Sequence, residues 1–301
     1  MCSSDLVAVG EIVTYRVAVT LPDGTIGDVK VSDVVPDGLT AIPGTGVLKT
    51  GASDSNFAGT VNDSAGNPIA AGGTVPFTTT GTGIDFDFDS IVVDASTGVA
   101  DNLIWIEYQA IVEDVAAASA TTELSGVPTL TFPGQSSAQT DATPPVVEIV
   151  EPQISIEQGI GVTVGETPGA SVTGQDAGND VFVTLTVSNP STLTGSGATG
   201  YDAIVTQEFD ASKFNISSLA DIEFQSGTNA GDPGFGYTAS LDTTDAANPK
   251  LVLTANDGES IDPEAVQEIQ FKVKLADSVE PSETITLAKA DVQIDSIDGE
   301  S

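Results

Sequence analysis

Alternation of apolar and polar side chains dominates the chain. Val13, Tyr15, Val17 and Val19 alternate with Thr14, Arg16, Ala18 and Thr20, the period of two expected of a strand buried on one face. Val181, Val183, Leu185 and Val187 alternate in the same way with Phe182, Thr184, Thr186 and Ser188. Each run follows a glycine, Gly10 or Gly178, with an acidic residue within two positions of it. Long helical patterns are absent. Single helical turns are predicted at 217–222 and at 262–269, where Asp262 would cap the turn and Pro263 would open it. Clusters of Gly, Pro, Asn and Asp, such as PDG at 36–38 and NDG at 256–258, separate the strand patterns. Pro36 pre-sets a turn, Gly38 supplies a conformation that other residues avoid, and Asp33 just before them reads as part of a strand terminator. Trp105 lies between Ile104 and Ile106. It reads as core, placed by the repeat described next at the position of Phe271; an exposed ring for sugar stacking is the other reading.

The patterns recur in the same order in both halves. Gly10 and Gly178 set an offset of 168 residues. Further on, DVKVSDVVPDGL (28–39) corresponds to YDAIVTQEFDAS (201–212), and IWIEYQAIVED (104–114) to IQFKVKLADSV (269–279). Residues 128–137 likewise correspond to 290–301. Ordered matches of this length define a tandem domain repeat. Each unit is far too long for a solenoid turn and should bury its own core. Between them, Pro144, Pro145 and Pro152 favour extended backbone, so 138–152 reads as a stiff linker. ISIE (154–157) then reads as the first strand of the second unit, and the first unit has no counterpart of it.

The predicted fold is therefore all-β: two tandem antiparallel Ig-like β-sandwiches, the first lacking its N-terminal strand. The expected divisions are a tail at 1–6, an incomplete sandwich at 7–137, the linker at 138–152 and a second sandwich at 153–301. An absent strand leaves a sheet edge unpaired, with an apolar strip beside it. The opening MCSSDL reads as the translated end of a sequencing adapter on a metagenomic fragment, expected to pair with no strand. A native start and a lipidated Cys2 are the other readings.

Composition narrows the function classes. The 301 residues include 44 Asp and Glu against 8 Lys and Arg, a net charge of −36. Such a surface repels nucleic acid and anionic membranes, both of which call for clustered cations. A hydrophobic share of 40% is too high for a disordered acidic tail. There is no His, and Cys2 is the sole Cys. Ser–His and Cys–His nucleophile pairs and His-based zinc motifs are thereby excluded. No phosphate-binding or dinucleotide fingerprint is present. Paired carboxylates suit glycoside hydrolysis, but this many acids pair by chance. The expectation is that the chain is not an enzyme.

The order of blocks resembles the Ig-like bacterial surface repeats known as domain of unknown function eleven. The stretches that carry the resemblance are VEPQISIEQ, GEIVTYRVAVT with GNDVFVTLTVSN, VKVSDVVPDGL, TLTFPG and QIDSIDG. The second unit departs from the pattern, with QEFDASKF in place of the Pro-Gly block. These repeats often carry a Lys late in the first strand; Gln158 stands there in this chain. The resemblance implies an extracellular or cell-surface location in the bacterial envelope. It also implies a spacer or stalk role in a large adhesin-like repeat protein, with neighbouring repeats of the same polypeptide as partners. The alternative is a module that binds an extracellular glycan or protein through end loops, of which the Gly-rich 57–77 is the best candidate.

Two sets of carboxylates are candidate Ca²⁺ ligands, since Ca²⁺ takes six to eight oxygens in flexible geometry. Asp85, Asp87 and Asp89 sit two apart and share one face of a predicted strand; the plain alternative is a solvated acidic face. Asp141, Glu148, Glu151 and Asp176 flank the predicted linker, where Ca²⁺ would stiffen a junction between modules. No other cofactor is implied. Lys213, Lys272, Lys274 and Lys289 leave open an isopeptide bond to an Asn in the second unit, against the plain reading of solvated lysines balancing carboxylates.

Overall fold

A computed structural model describes residues 5–50, 57–81, 83–95, 102–115, 121–134, 139–140, 146–190, 197–225 and 236–298. The chain is all-β and divides into two units, Met1–Val150 and Glu151–Ser301.

The first unit opens with β1 (Asp5–Ala8), β2 (Ile12–Thr20), β3 (Gly24–Val34), β4 (Leu39–Ala41) and β5 (Val47–Lys49). It continues with β6 (Gly59–Asn62), β7 (Pro68–Ile69), β8 (Thr78–Thr80), β9 (Gly83–Val93) and β10 (Leu103–Val112). It closes with β11 (Glu123–Leu124), β12 (Thr129–Thr131), β13 (Gln139–Thr140) and β14 (Val147–Val150). One sheet has the order β2-β10-β4, with β5 also on β10. The other runs β13-β12-β3-β9-β6-β7, with β8 on β9. A third, small sheet is β1-β14-β11.

Period-two patterning decides what is buried. On β2, Tyr15, Val17 and Val19 are buried while Thr14, Arg16, Ala18 and Thr20 are exposed. On β10, Ile104, Ile106, Tyr108 and Ala110 are fully buried. Tyr108 meets Phe86 of β9 at 6.0 Å and Phe77 at 6.3 Å between ring centroids, which joins the two large sheets face to face. Each buried aliphatic or aromatic side chain of this kind contributes roughly 1.5–3 kcal/mol.

The second unit contains β15 (Ser155–Gly161), β16 (Ser171–Thr173), β17 (Asp180–Ser188) and β18 (Gly200–Glu208). After them come β19 (Glu223–Phe224), β20 (Tyr237–Asp242), β21 (Lys250–Ala255) and β22 (Ser260–Ile261). It ends with β23 (Val266–Lys274), β24 (Thr284–Thr286) and β25 (Ala290–Asp295). Its sheets are β15-β17-β23-β19 and β20-β21-β18-β22 with β25 on β18, beside the pair β16-β24. One core joins them: Val183, Leu185 and Phe271 from the first sheet pack with Val205, Phe209 and Leu251 from the second. The Phe209 and Phe271 rings meet edge to face at 6.1 Å.

Ladder registers align the units strand by strand. Tyr15 pairs with Tyr108, and Val183 pairs with Phe271, so β2 and β10 correspond to β17 and β23. On β3 and β18 the marker is a left-handed aspartate, Asp28 (φ 50°) and Asp202 (φ 51°), the second at a bulge. Counting from these aspartates, Asp33 corresponds to Gln207.

Several sequence expectations are corrected. Residues 1–6 were expected to pair with nothing, yet Asp5 and Leu6 lie in β1, in parallel register with Val147 and Glu148. The period of two runs back through them: Leu6 is exposed, and Val7 and Val9 are buried. Residues 138–152 are not a free linker, because β13 pairs with β12 and β14 lies between β1 and β11. The VEIV stretch of β14 alternates on its own and buries Val147 and Ile149. Residues 57–77 are not an open loop. β6 and β7 form a hairpin on β9, Val75 is buried, and the Phe77 ring packs on Phe86. At 262–269 no helical turn forms, since Glu264 adopts φ 68° and β23 starts at Val266. At 217–222 the expected turn is present as a 3₁₀ turn, its amides at Ser217 and Ser218 donating to Asp221 Oδ2.

Candidate functional site

Asp33 is the most unusual group in the molecule. At Asp28 the backbone is left-handed (φ 50°) and the inward face passes from Ile26 to Val29, Val31 and Asp33, while β3 and β9 stay in register. A carboxylate thereby takes a core position at 3% exposure. Its Oδ2 accepts a hydrogen bond from the Tyr108 hydroxyl at 2.7 Å. Its Oδ1 has no partner, and neither does the buried hydroxyl of Tyr15. The Tyr15 and Tyr108 rings stack at 5.3 Å, so both hydroxyl-bearing rings lie side by side on the inner face of the β2-β10 sheet. Gly126 closes the floor: a Cβ there would stand 3.0 Å from Asp33 Oδ1 and 2.8 Å from the Val34 carbonyl oxygen. Only glycine lets the backbone approach so closely.

Electrostatics follow from this burial. Loss of water raises the Asp33 carboxyl from 3.8 to about 6, against the opposing hydrogen bonds from Tyr108 and at Val34. Burial, with the Asp33 charge adding to it, pushes Tyr15 to about 12. The same two causes raise Tyr108 further still.

Beside this cluster lies a cavity of about 850 Å³. One wall is β2 along eight consecutive residues, from Val13 to Thr20. Asp33, Gly126 and Leu130 line it, and Gln139 and Val147 bound it elsewhere. The wall is a sheet edge: among the described residues, β2 pairs with β10 and with no other strand. In the second unit the corresponding edge is closed. β17 pairs with β23 on one side and with β15 on the other, antiparallel from Ser155↔Ser188 to Gly161↔Phe182. The corresponding buried group there is the neutral Gln207, whose Nε2 donates to the carbonyls of Glu208 at 2.7 Å and Ala288 at 3.3 Å and whose Oε1 has no partner.

The residues singled out from sequence fall elsewhere. Asp85, Asp87 and Asp89 do lie on one strand, β9, with Phe86 and Phe88 buried on its other face. Asp85 is already engaged, accepting from Ser32 Oγ at 2.6 Å and pairing with Lys30 Nζ at 2.7 Å, while Asp87 and Asp89 are exposed. Asp141 lies outside the described residues. Glu148 is on β14 of the first unit, Glu151 begins the second unit, and Asp176 is exposed in the turn before β17. Among the described residues no group of three or more His, Cys, Asp or Glu side chains converges as metal ligands would. Lys213, Lys272, Lys274 and Lys289 each form surface ion pairs, with Glu283, with Asp180 and Glu223, with Asp180, and with Asp291. Trp105 is not core. The ladder sets it opposite Ala18, on the outer face, with the Arg16 guanidinium 5.3 Å over its ring. The block alignment that matched it with Phe271 was displaced by two or more residues, since Tyr108 holds that place.

Sequence reading passed over Asp33 because an aspartate ahead of Pro-Asp-Gly is an ordinary turn signal. The available signal was phase: Val29, Val31 and Asp33 share one face of an alternating run.

No protein-family model matches the chain, and no curated protein matches it. Solved structures show weak likeness. The C-terminal domain of the Streptococcus agalactiae antigen I/II polypeptide BspA is 9% identical at a TM-score of 0.40, over 98% of this chain and 92% of that one. The C-terminal domain of the Streptococcus pyogenes antigen I/II-family protein AspA is 11% identical at 0.36, over 91% and 87%. A C-terminal fragment of the Streptococcus agalactiae major pilin GBS80 is 10% identical at 0.30, over 98% and 83%. Likeness at this level assigns no function. Among the described residues no helix is long and apolar enough to cross a membrane.

Proposed function

We propose that this chain is a structural segment of an extracellular bacterial repeat protein, in which each β-sandwich unit adds length to a stalk. The observation that carries the reading is the tandem itself. Two units with corresponding strands each bury a core of their own, and the exposed surface is overwhelmingly acidic. Like-charged surfaces keep neighbouring modules soluble and apart. The hairpin at residues 57–77 extends a sheet and seats its one inward aromatic, Phe77, on the core, which favours the spacer over the loop-binding alternative. Single-molecule pulling on head-to-tail concatemers tests it. A spacer built of autonomous units gives two unfolding events per copy, each releasing a contour length of about 150 residues. One event per copy, or gradual extension without a force peak, contradicts it.

A further inference from the structure

The edge of β2, the cavity beside it and the unsatisfied pair Asp33 and Tyr15 form one site, and the second unit shows what chemistry fits such an edge. There the equivalent strand β17 carries β15, a seven-residue strand of sequence SIEQGIG, antiparallel and in continuous register. Ile160 of β15 stands opposite Val183, which corresponds to Tyr15. On β2 the free edge runs from Val13 to Thr20, about 26 Å at strand rise, enough for a strand of that length. A sheet edge offers unpaired amides and carbonyls to any extended chain. Two further polar atoms, Asp33 Oδ1 and the Tyr15 hydroxyl, are buried on the inner side of this edge without partners. Buried polar groups ordinarily have partners, and exceptions call for a reason.

We propose that the first unit is a strand acceptor: it binds an extended segment of a separate polypeptide, added antiparallel to β2, with apolar side chains at alternate positions and a hydrogen-bond donor at the position opposite Tyr15. The main chain of the incoming strand bonds to β2. Its apolar side chains fill the cavity toward Leu130 and Val147. Its donor meets Asp33 Oδ1. The recognition is β-augmentation, in which backbone pairing gives affinity and alternate side chains give specificity. The inference goes beyond the spacer reading and does not require it.

The test uses the full chain and synthetic peptides. The first peptide is QISIEQGIGV, the sequence of residues 153–162; the second carries I160N; the third carries I156D and I160D. Binding is followed by titration calorimetry, and its location by amide hydrogen exchange. The first peptide is expected to bind and to slow exchange along residues 13–20. The second is expected to bind roughly tenfold more tightly, because it supplies the missing donor. The third is expected not to bind. The proposal is overturned if the first two peptides leave β2 exchange unchanged, if protection appears at β17 through displacement of β15, or if I160N binds no better than the parent. None of these outcomes bears on the spacer reading, which is decided by the pulling experiment.

Discussion

β2 and β17 are the same strand of the same repeat, and they live in different surroundings. β17 lies between β15 and β23, and the neutral Gln207 stands beneath its sheet at the position of Asp33. β2 has β10 on one side and a cavity on the other, with a carboxylate below. The substitutions are consistent with one another. Where β17 has Val183 facing Phe271, β2 has Tyr15 facing Tyr108; where β18 has neutral Gln207, β3 has Asp33. Two apolar-to-polar replacements and one neutral-to-charged one cluster at the unit with the open edge. The comparison teaches that repetition preserved the sandwich while one copy placed a buried carboxylate and two tyrosines next to an unpaired strand.

The largest expected effect tests whether the units are energetically separate. Phe86→Ala and Phe271→Ala each remove a fully buried ring, at a cost of roughly 3–5 kcal/mol. In calorimetry each should lower one melting transition and leave the other in place. Coupled movement of both transitions would break the comparison at its root.

Next in size is the pH dependence of the first unit. The folded state holds the Asp33 proton more tightly than the unfolded chain does, with the carboxyl near 6 against 3.8. This group therefore favours folding fully below about pH 4, and its contribution is lost as pH rises through 6, for a total of about 3 kcal/mol. Asp33→Asn should remove that loss and raise the first transition at pH 7. The second unit should behave in the opposite sense. Asp180, Asp210 and Asp221 are held low, first by Lys274, by Ser212 and by the Ser217 amide respectively, so their contributions grow as pH rises from acid. Equal slopes in wild type and Asp33→Asn, measured by urea denaturation between pH 4 and 7, would contradict this.

A smaller effect sharpens the same contrast. Tyr108→Phe makes β10 resemble β23 and removes the hydroxyl that donates to Asp33 Oδ2, at a cost of about 1–3 kcal/mol at neutral pH. The double change Tyr108→Phe with Asp33→Gln copies the second unit and should recover most of it. A single Tyr108→Phe as stable as wild type would show that the hydrogen bond contributes nothing.

The sandwich strands were readable because burial on one face forces a period of two, and β2, β10 and β17 follow it without interruption. The turn after Asp33 was readable too: Gly38 sits at φ 99° and the Leu39 amide donates to Pro36 oxygen. The site was not readable, for three physical reasons. The inward face of β3 changes phase by one residue at the left-handed Asp28, and nothing in the local sequence announces it. The partner of Asp33 comes from β10 and the tyrosine stacked on that partner from β2, strands whose placement against β3 is set only by tertiary packing. In a chain with 44 acidic residues, one buried aspartate does not stand out. The hairpin of β6 and β7 was hidden for a related reason. Asp63 accepts from the amides of Ala65 and Asn67, and this tight turn is written in the same Gly, Asn and Pro letters as a loop.

The account rests on β2 being a sheet edge, and residue-resolved amide exchange of the full chain under native conditions measures that directly. Along β17, flanked on both sides, protection should be continuous from residue 181 to 187. Along β2 it should alternate, with the amides that bond to β10 slow and those facing the cavity fast. Uniform slow exchange from residue 13 to 19, matching β17, would contradict the open edge and with it the difference between the two units.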